Sequence, residues 1–361
     1  MTDIGGRVGS RERVVATTML AARMQAETRE LRLEEVPVPV PGPREVRVRV
    51  RACGICLSDV HLLDGSLGIP TETVTLGHEA AGEVDLAGAD VSGWVPGQRV
   101  VIAAGRMCGV CLECLRGRGD ACAAGQILGI HYDGAWAEYV VVPAAALAAV
   151  PDSMPFEQAA IIADAVSTPY AGLTERAGLR PAESVGLWGI GGLGVHAVQV
   201  ARVVGAAPIV AVDPSAGARA RALSVGADLA LDPTTDDVRG RILEITDGQG
   251  LDVACDVVGA NAVMKEAAGC LARSGRVVMI GLSMEPLELG PGVLLGLGRH
   301  AVLGHLGYQR QHLDELVRLV GHGRLDLSAS VTEVMPLEDI HRGVRALETK
   351  EGDPIRLVVA P

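Results

Sequence analysis

The spacing Cys108-x2-Cys111-x2-Cys114-x7-Cys122 constrains this chain more than any other feature it carries. Four thiols that close in sequence converge on one point, and zinc takes four thiolates tetrahedrally with strong net stabilisation. Such a closed set has no vacant position, so the lobe it ties together is structural and does no chemistry. A pair of disulfides is the ordinary alternative. The opening residues, MTDIGGRVGSRERVV, carry charge and glycine but no apolar stretch. A secretory signal is therefore not expected, and a reducing cytoplasm, where cysteines serve metals, is.

The chain has 361 residues, room for two domains and a well-buried core. Apolar residues make up 48% of it, yet there are only three Trp, four Tyr and one Phe, so the core must be built of Ala, Val and Leu. That scarcity argues against an aromatic platform for stacking bases. The formal net charge of −12 would repel a polyanion. Both points oppose a zinc-ribbon regulator that grips nucleic acid, and no nucleic-acid partner is expected. No uncharged apolar run reaches the ~18 residues of a membrane span, so no membrane partner is expected either.

Residues 1–18 offer no periodic apolar face and are expected to form a disordered tail. From Leu31 the texture is β-like: in EVRVRVR, Val46, Val48 and Val50 alternate with Arg47, Arg49 and Arg51, as in a half-exposed strand. Short strands punctuated by Gly and Pro continue to about Pro151. Near residue 165 the pattern changes to strands alternating with helices: SVGLWGI, a helix, PIVAVD, a helix, LDVACDVVG, a helix and GRVVMIG. This predicts an α/β fold with a doubly wound parallel sheet. Cys53, Cys255 and Cys270 read as small core or strand residues.

Gly189-Ile190-Gly191-Gly192-Leu193-Gly194 follows a predicted strand and opens a predicted helix. The first glycine permits a tight turn, the second lets a pyrophosphate approach the backbone, and the third lets helix pack on strand. The phosphates then sit at the positive end of the helix dipole. The next strand ends in Asp213, where an acid would bind the ribose 2′-hydroxyl and repel a 2′-phosphate. NAD(H) is therefore favoured over NADP(H). Gly281, which ends GRVVMIG, and Leu282 complete the expected cofactor site.

Earlier in the chain lie Cys56-Leu57-Ser58-Asp59-Val60-His61 and Gly77-His78-Glu79. A thiolate and an imidazole from separate loops begin an open zinc site, which needs three protein ligands and a vacant position. Taken singly, His78 reads equally as an ordinary histidine and Asp59 as a turn cap. In their order, these segments, the four-cysteine lobe and GIGGLG together resemble the zinc-containing medium-chain alcohol dehydrogenases. The resemblance runs from about Met19 to Pro361 and includes DGAWAEYVVVP and PLEDIHRGVRAL.

That resemblance implies a β-rich GroES-like catalytic domain (19–165 and 304–361) around a Rossmann domain (166–303). It implies two zinc ions per subunit, the structural one on Cys108, Cys111, Cys114 and Cys122. Cys56 and His78 match the first two catalytic ligands. The third position, often Cys, holds Asp164, which keeps the same charge and offers zinc an oxygen. Glu79 is the substitute ligand, or a carboxylate just behind the metal. By the same likeness Ser58 takes the substrate's proton and His61 passes it to solvent, Asp59 orients His78 or Cys56, and Thr168 packs on the nicotinamide. Leu57 stands where many relatives carry a basic side chain near the pyrophosphate. Ala218 stands where a Lys or Arg often holds the adenosine ribose, with Arg219 one place late. The implied activity is interconversion of an alcohol, polyol or cyclitol with its aldehyde or ketone in a homodimer or homotetramer. A zinc-free quinone or enoyl reductase of the same superfamily is the alternative, opposed by the cysteine lobe and by Cys56 with His78.

Overall fold

The computed structural model describes residues 17–361. Of the tail expected over residues 1–18, residues 1–16 lie outside the described part, and Thr18 opens a strand, Thr18–Gln25. Val46, Val48 and Val50 are sealed from solvent in the strand Glu45–Ile55 while Arg49 is exposed, as the alternation predicts. Beyond Val50 both faces of that strand are buried through Ala52, Cys53 and Ile55, because it becomes the centre of a seven-stranded sheet. Glu79–Ala87 and Tyr139–Pro143 pair with it antiparallel. The closing strand Arg356–Ala360 also pairs with it antiparallel, setting Leu357 opposite Ile55 and Val359 opposite Cys53. Two ends of the chain thus build one β-rich unit.

The second unit is a six-stranded, wholly parallel sheet. Its spatial order is Leu229–Leu231, Ile209–Val212, Val185–Trp188, Leu251–Asp256, Leu271–Met279, Ala301–Gly304. Strand order reverses at Val185–Trp188, and ligands of such sheets bind beyond the carboxyl ends at that reversal. Small side chains let the layers approach: Ala197, Ala201, Ala211, Ala218 and Ala222 are all in the core. Cys53, Cys255 and Cys270 are buried there or in the neighbouring core.

Between the units runs one unbroken helical stretch. It is α-helical at Phe156–Ile161, widens to a π turn at Ile162–Val166, returns to α at Ser167–Ala171 and widens again at Gly172–Arg176. A π turn carries one extra residue and frequently marks a functional position. Here the first one bears Asp164. Among the described residues, no helix is long and apolar enough to cross a membrane.

Candidate active site

Cys56 lies at the N-cap of the short helix Leu57–Leu63, and Asp59 is its third residue. Asp59 Oδ2 accepts the Cys56 N–H at 2.9 Å, closing a capping box that explains the Cys-x-x-Asp spacing. The other oxygen, Oδ1, lies 3.4 Å from His78 Nδ1. Asp59 therefore caps the helix with one oxygen and faces His78 with the other. With Nδ1 turned to Asp59, the Nε2 edge of His78 lies 3.7 Å from Asp164 Oδ2, and the Cys56 thiol is 3.2 Å from the same oxygen. Thr168, one turn beyond Asp164, donates its hydroxyl to Asp164 Oδ1 at 2.6 Å and fixes the carboxylate's rotation.

One ligand atom each from Cys56, His78, Glu79 and Asp164 lies within 4.8 Å of all the others. Tetrahedral zinc, with bonds of ~2.0–2.3 Å, spaces its ligand atoms roughly 3.3–3.8 Å apart. The His78–Asp164 separation of 3.7 Å lies in that range, and the Cys56–Asp164 separation of 3.2 Å falls just short of it. Both Glu79 carboxylate oxygens are buried without a hydrogen-bond partner among the described residues, with the Arg356 guanidinium as the facing positive charge. Burial opposes charge on His78, yet Asp59, Asp164 and Cys56 together raise its pKa well above the usual value. Burial also opposes ionisation of Asp164, but His78, Arg356 and Thr168 overcome it and hold that carboxyl well below the usual range.

Glu79 is turned toward Arg356, 3.4 Å away, and both are shut off from solvent. Burial raises the Glu79 carboxyl, and the Arg356 charge beside it works the other way, toward the ionised form. Ser58 Oγ lies 3.3 Å from His78 Nε2, at the edge of the ligand cluster. His61 follows Ser58 by three residues on the same helix and is partly exposed, a spacing that makes the two neighbours on one face.

The glycine-rich turn has the geometry its three positions require. Gly189 has φ +87°, and a Cβ at Gly194 would lie 1.8 Å from the Gly189 carbonyl oxygen. At Gly191 a Cβ would meet nothing within 4 Å, so the backbone faces open space where a pyrophosphate can come close. Asp213 accepts from the Ile190 N–H and the Ser215 N–H, each at 2.7 Å, which anchors it beside Ile190 and Gly191. Arg219, although one place late, folds back onto the Asp213 and Pro214 carbonyls at 2.8 Å and pairs with Asp232 at 2.9 Å. Gly281 and Leu282 lie in the loop after Leu271–Met279, where Gly281 packs directly on Gly259 at the carboxyl end of the neighbouring strand.

Two residues here escaped the sequence reading. Arg356 brings a guanidinium against the turn, since a Cβ on Gly192 would lie 2.9 Å from its Cζ. It is a cation beside the turn, whereas Leu57 is uncharged and 48% exposed. His196 is wholly buried in the helix that follows the turn. The available signal was a lone arginine in the apolar run IRLVVA and a lone histidine in GVHAVQVA.

The four-cysteine lobe stands apart. Its thiols are separated by 4.0 Å (Cys108–Cys114), 3.8 Å (Cys111–Cys122) and 3.5 Å (Cys108–Cys122), again the edges of a zinc tetrahedron. All eight cysteines are free thiols. Backbone N–H groups of Cys114 and Ala123 lower the Cys111 pKa to about 6. Burial and the neighbouring thiols push Cys114 up to about 12, because four thiolates do not ionise together without a cation.

A parallel sheet in dinucleotide-binding order, joined to a β-rich unit with two zinc-type clusters, defines a two-domain dehydrogenase. Residues 42–152 match the alcohol dehydrogenase GroES-like domain, and residues 192–321 the zinc-binding dehydrogenase family. An NDMA-dependent alcohol dehydrogenase of Amycolatopsis methanolica is 31% identical over 94% of this chain and 98% of its own length. An alcohol dehydrogenase of Geobacillus stearothermophilus is 34% identical over 90% of this chain and 94% of its own. The solved alcohol dehydrogenase TADH from Thermus sp. ATN1 superposes with TM-score 0.88 at 29% identity, covering 95% of this chain and 99% of that one. The chain belongs to the zinc-containing alcohol dehydrogenase family of the medium-chain dehydrogenase/reductase superfamily and is an oxidoreductase.

Proposed function

We propose that the protein interconverts an alcohol, polyol or cyclitol with its aldehyde or ketone, using NAD(H) and two zinc ions per subunit. The observation that carries this reading is Arg356, which touches Gly192 of the glycine-rich turn on one side and Glu79 of the metal cluster on the other. Cofactor site and metal site therefore share a wall. When bound, zinc supplies Lewis-acid polarisation of the substrate oxygen, and the nicotinamide supplies the hydride acceptor or donor.

The chain's own residues do the placing. Cys56, His78 and Asp164 hold the catalytic metal, with Asp59 orienting His78 and Thr168 orienting Asp164. Glu79 balances Arg356 behind them. In alcohol oxidation the bound nicotinamide would supply the hydride acceptor, while Ser58 Oγ would take the hydroxyl proton and pass it on through His61 to solvent. The backbone from Ile190 to Leu193 and the amino end of the helix Gly194–Val204 bind the pyrophosphate, with Arg356 as counter-charge. Thr168, Gly281 and Leu282 flank the nicotinamide end. Asp213 takes the ribose 2′-hydroxyl. NAD is preferred over NADP because the Asp213 carboxylate repels a 2′-phosphate and Arg219 beside it is already paired with Asp232. With this reading go the domain bounds 19–165 plus 304–361 and 166–303, and a cytoplasmic location.

The test is zinc per subunit in wild type and Asp164→Ala, alongside NAD⁺ reduction over a panel of alcohols. About two zincs in wild type and about one in an inactive variant are expected. Two zincs kept in an inactive variant would move the third ligand to Glu79. A wild type holding one zinc would sink the mechanism.

A further inference from the structure

The helix Gly194–Val204 is buried from Gly194 to Ala201, and His196 stands in that buried run with its ring wholly enclosed. Its Nδ1 lies 2.7 Å from the Gly192 carbonyl oxygen and 3.1 Å from the Ala165 carbonyl oxygen. Its Nε2 lies 2.9 Å from Ser330 Oγ. Carbonyl oxygens only accept, so Nδ1 carries the hydrogen, and Nε2 accepts from the Ser330 hydroxyl. The tautomer is fixed by its partners. The ring is neutral, since burial and then the charge of Arg356 hold its pKa down to about 4.

The three partners belong to three different segments. Gly192 is in the cofactor turn, Ala165 adjoins Asp164 in the π turn, and Ser330 leads into the strand Val331–Pro336 of the β-rich unit. Nothing in the proposed chemistry uses this histidine, and a structural need for polarity at a buried helix position is not evident. The single Nδ1 hydrogen is shared between the Gly192 and Ala165 carbonyls, and Ser330 anchors the ring's far edge. One donor atom thus ties the turn that holds the pyrophosphate to the backbone that holds a metal ligand.

We propose that His196 is a positioning residue that keeps the glycine-rich cofactor turn in register with the Asp164-bearing helix. This rests on the dehydrogenase reading of the two sites. Hydride transfer is sensitive to such register, because a displacement of ~1 Å can cost on the order of 10²-fold in rate.

The experiment compares His196→Leu, His196→Asn and Ser330→Ala with wild type. It measures zinc per subunit, thermal midpoint, NADH dissociation constant by direct titration, and kcat and KM for an oxidised alcohol. Leucine removes every bond, whereas the asparagine amide nitrogen replaces the Nδ1 donor without the Nε2 acceptor. His196→Leu is expected to keep its zinc, weaken NADH several-fold and lower kcat by roughly 10–100-fold. His196→Asn should recover most of the NADH affinity and kcat even where its thermal midpoint stays low, and Ser330→Ala should change both only slightly. If His196→Leu melts early but binds NADH and turns over like wild type, the histidine is merely structural and the inference fails. It fails equally if His196→Asn, folded and with its zinc, restores neither quantity. A wild type that binds neither NADH nor NADPH would instead overturn the dehydrogenase reading, and the inference with it. Should His196→Leu not fold, His196→Asn and Ser330→Ala decide the question, and equal losses in both would overturn it.

Discussion

Glu79 and Arg356 face each other at 3.4 Å with 0% and 2% of their side chains exposed. Arginine does not give up its proton in a protein, so whatever removes Glu79 leaves a guanidinium buried with only Cys56 and Asp164 to balance it. Breaking a buried pair from one side typically costs about 3–5 kcal/mol, while replacing both partners with apolar groups of similar size costs little. Glu79→Gln should therefore lower unfolding stability by about 3–5 kcal/mol, and Glu79→Gln with Arg356→Met should recover most of it. Denaturant titrations of both variants check this, and a neutral Glu79→Gln would show that the pair does not balance charge. At this scale the sequence was eloquent where a residue's role follows from near neighbours. The capping box of Cys56 and Asp59, and the three glycines of the turn, are local geometry written in local spacing. Arg356 was illegible because its partners, Glu79 and Gly192, lie far away in sequence.

Elements differ in what holds them. From Gly105 to Ile127, through the strand pair Gly105–Arg106 and Gln126–Ile127 and the helix Leu112–Leu115, no residue is buried. Val110, Leu112 and Leu115 are 77%, 59% and 73% exposed. With no core of its own, this lobe depends on its metal for folding. Cys114→Ser should lose one zinc per subunit and open the lobe to trypsin after Arg116 or Arg118, sites that stay protected in wild type. A variant that keeps two zincs and resists cleavage would show that the lobe is held some other way. The alternation of Glu45–Ile55 and the strand–helix rhythm after residue 180 were readable because burial on one or both faces imposes a period. The π turn at Ile162–Val166 was not, since one extra residue in a helix leaves no periodic trace. Its consequence, Asp164 facing Cys56 and His78, came only from the family likeness.

For the whole molecule, among the described residues the parallel sheet ends in an unpaired edge, Ala301–Gly304, flanked in sequence by exposed apolar residues. Val293, Leu294, Leu297 and Leu306 are 65%, 56%, 67% and 62% exposed there. An open strand edge beside exposed leucines is a template for another chain, and we propose that a second copy covers it. Light scattering should give at least a dimer, and Val293→Asp with Leu297→Asp should reduce it to monomer; a monomeric wild type ends the proposal. The β-rich unit has a different dependence, one of time. Its central strand is finished by Arg356–Ala360, which reaches back to pair with Ile55, Gly54 and Cys53. At ~5–20 residues per second, a ribosome needs roughly 15–60 s between making Cys56 and making Arg356. Throughout that interval Glu79 has no counter-charge and the metal ligands have no closed wall behind them. The parallel sheet is complete before the β-rich unit can close, so the two clusters are joined only when Arg356 arrives to touch Glu79 and Gly192 together.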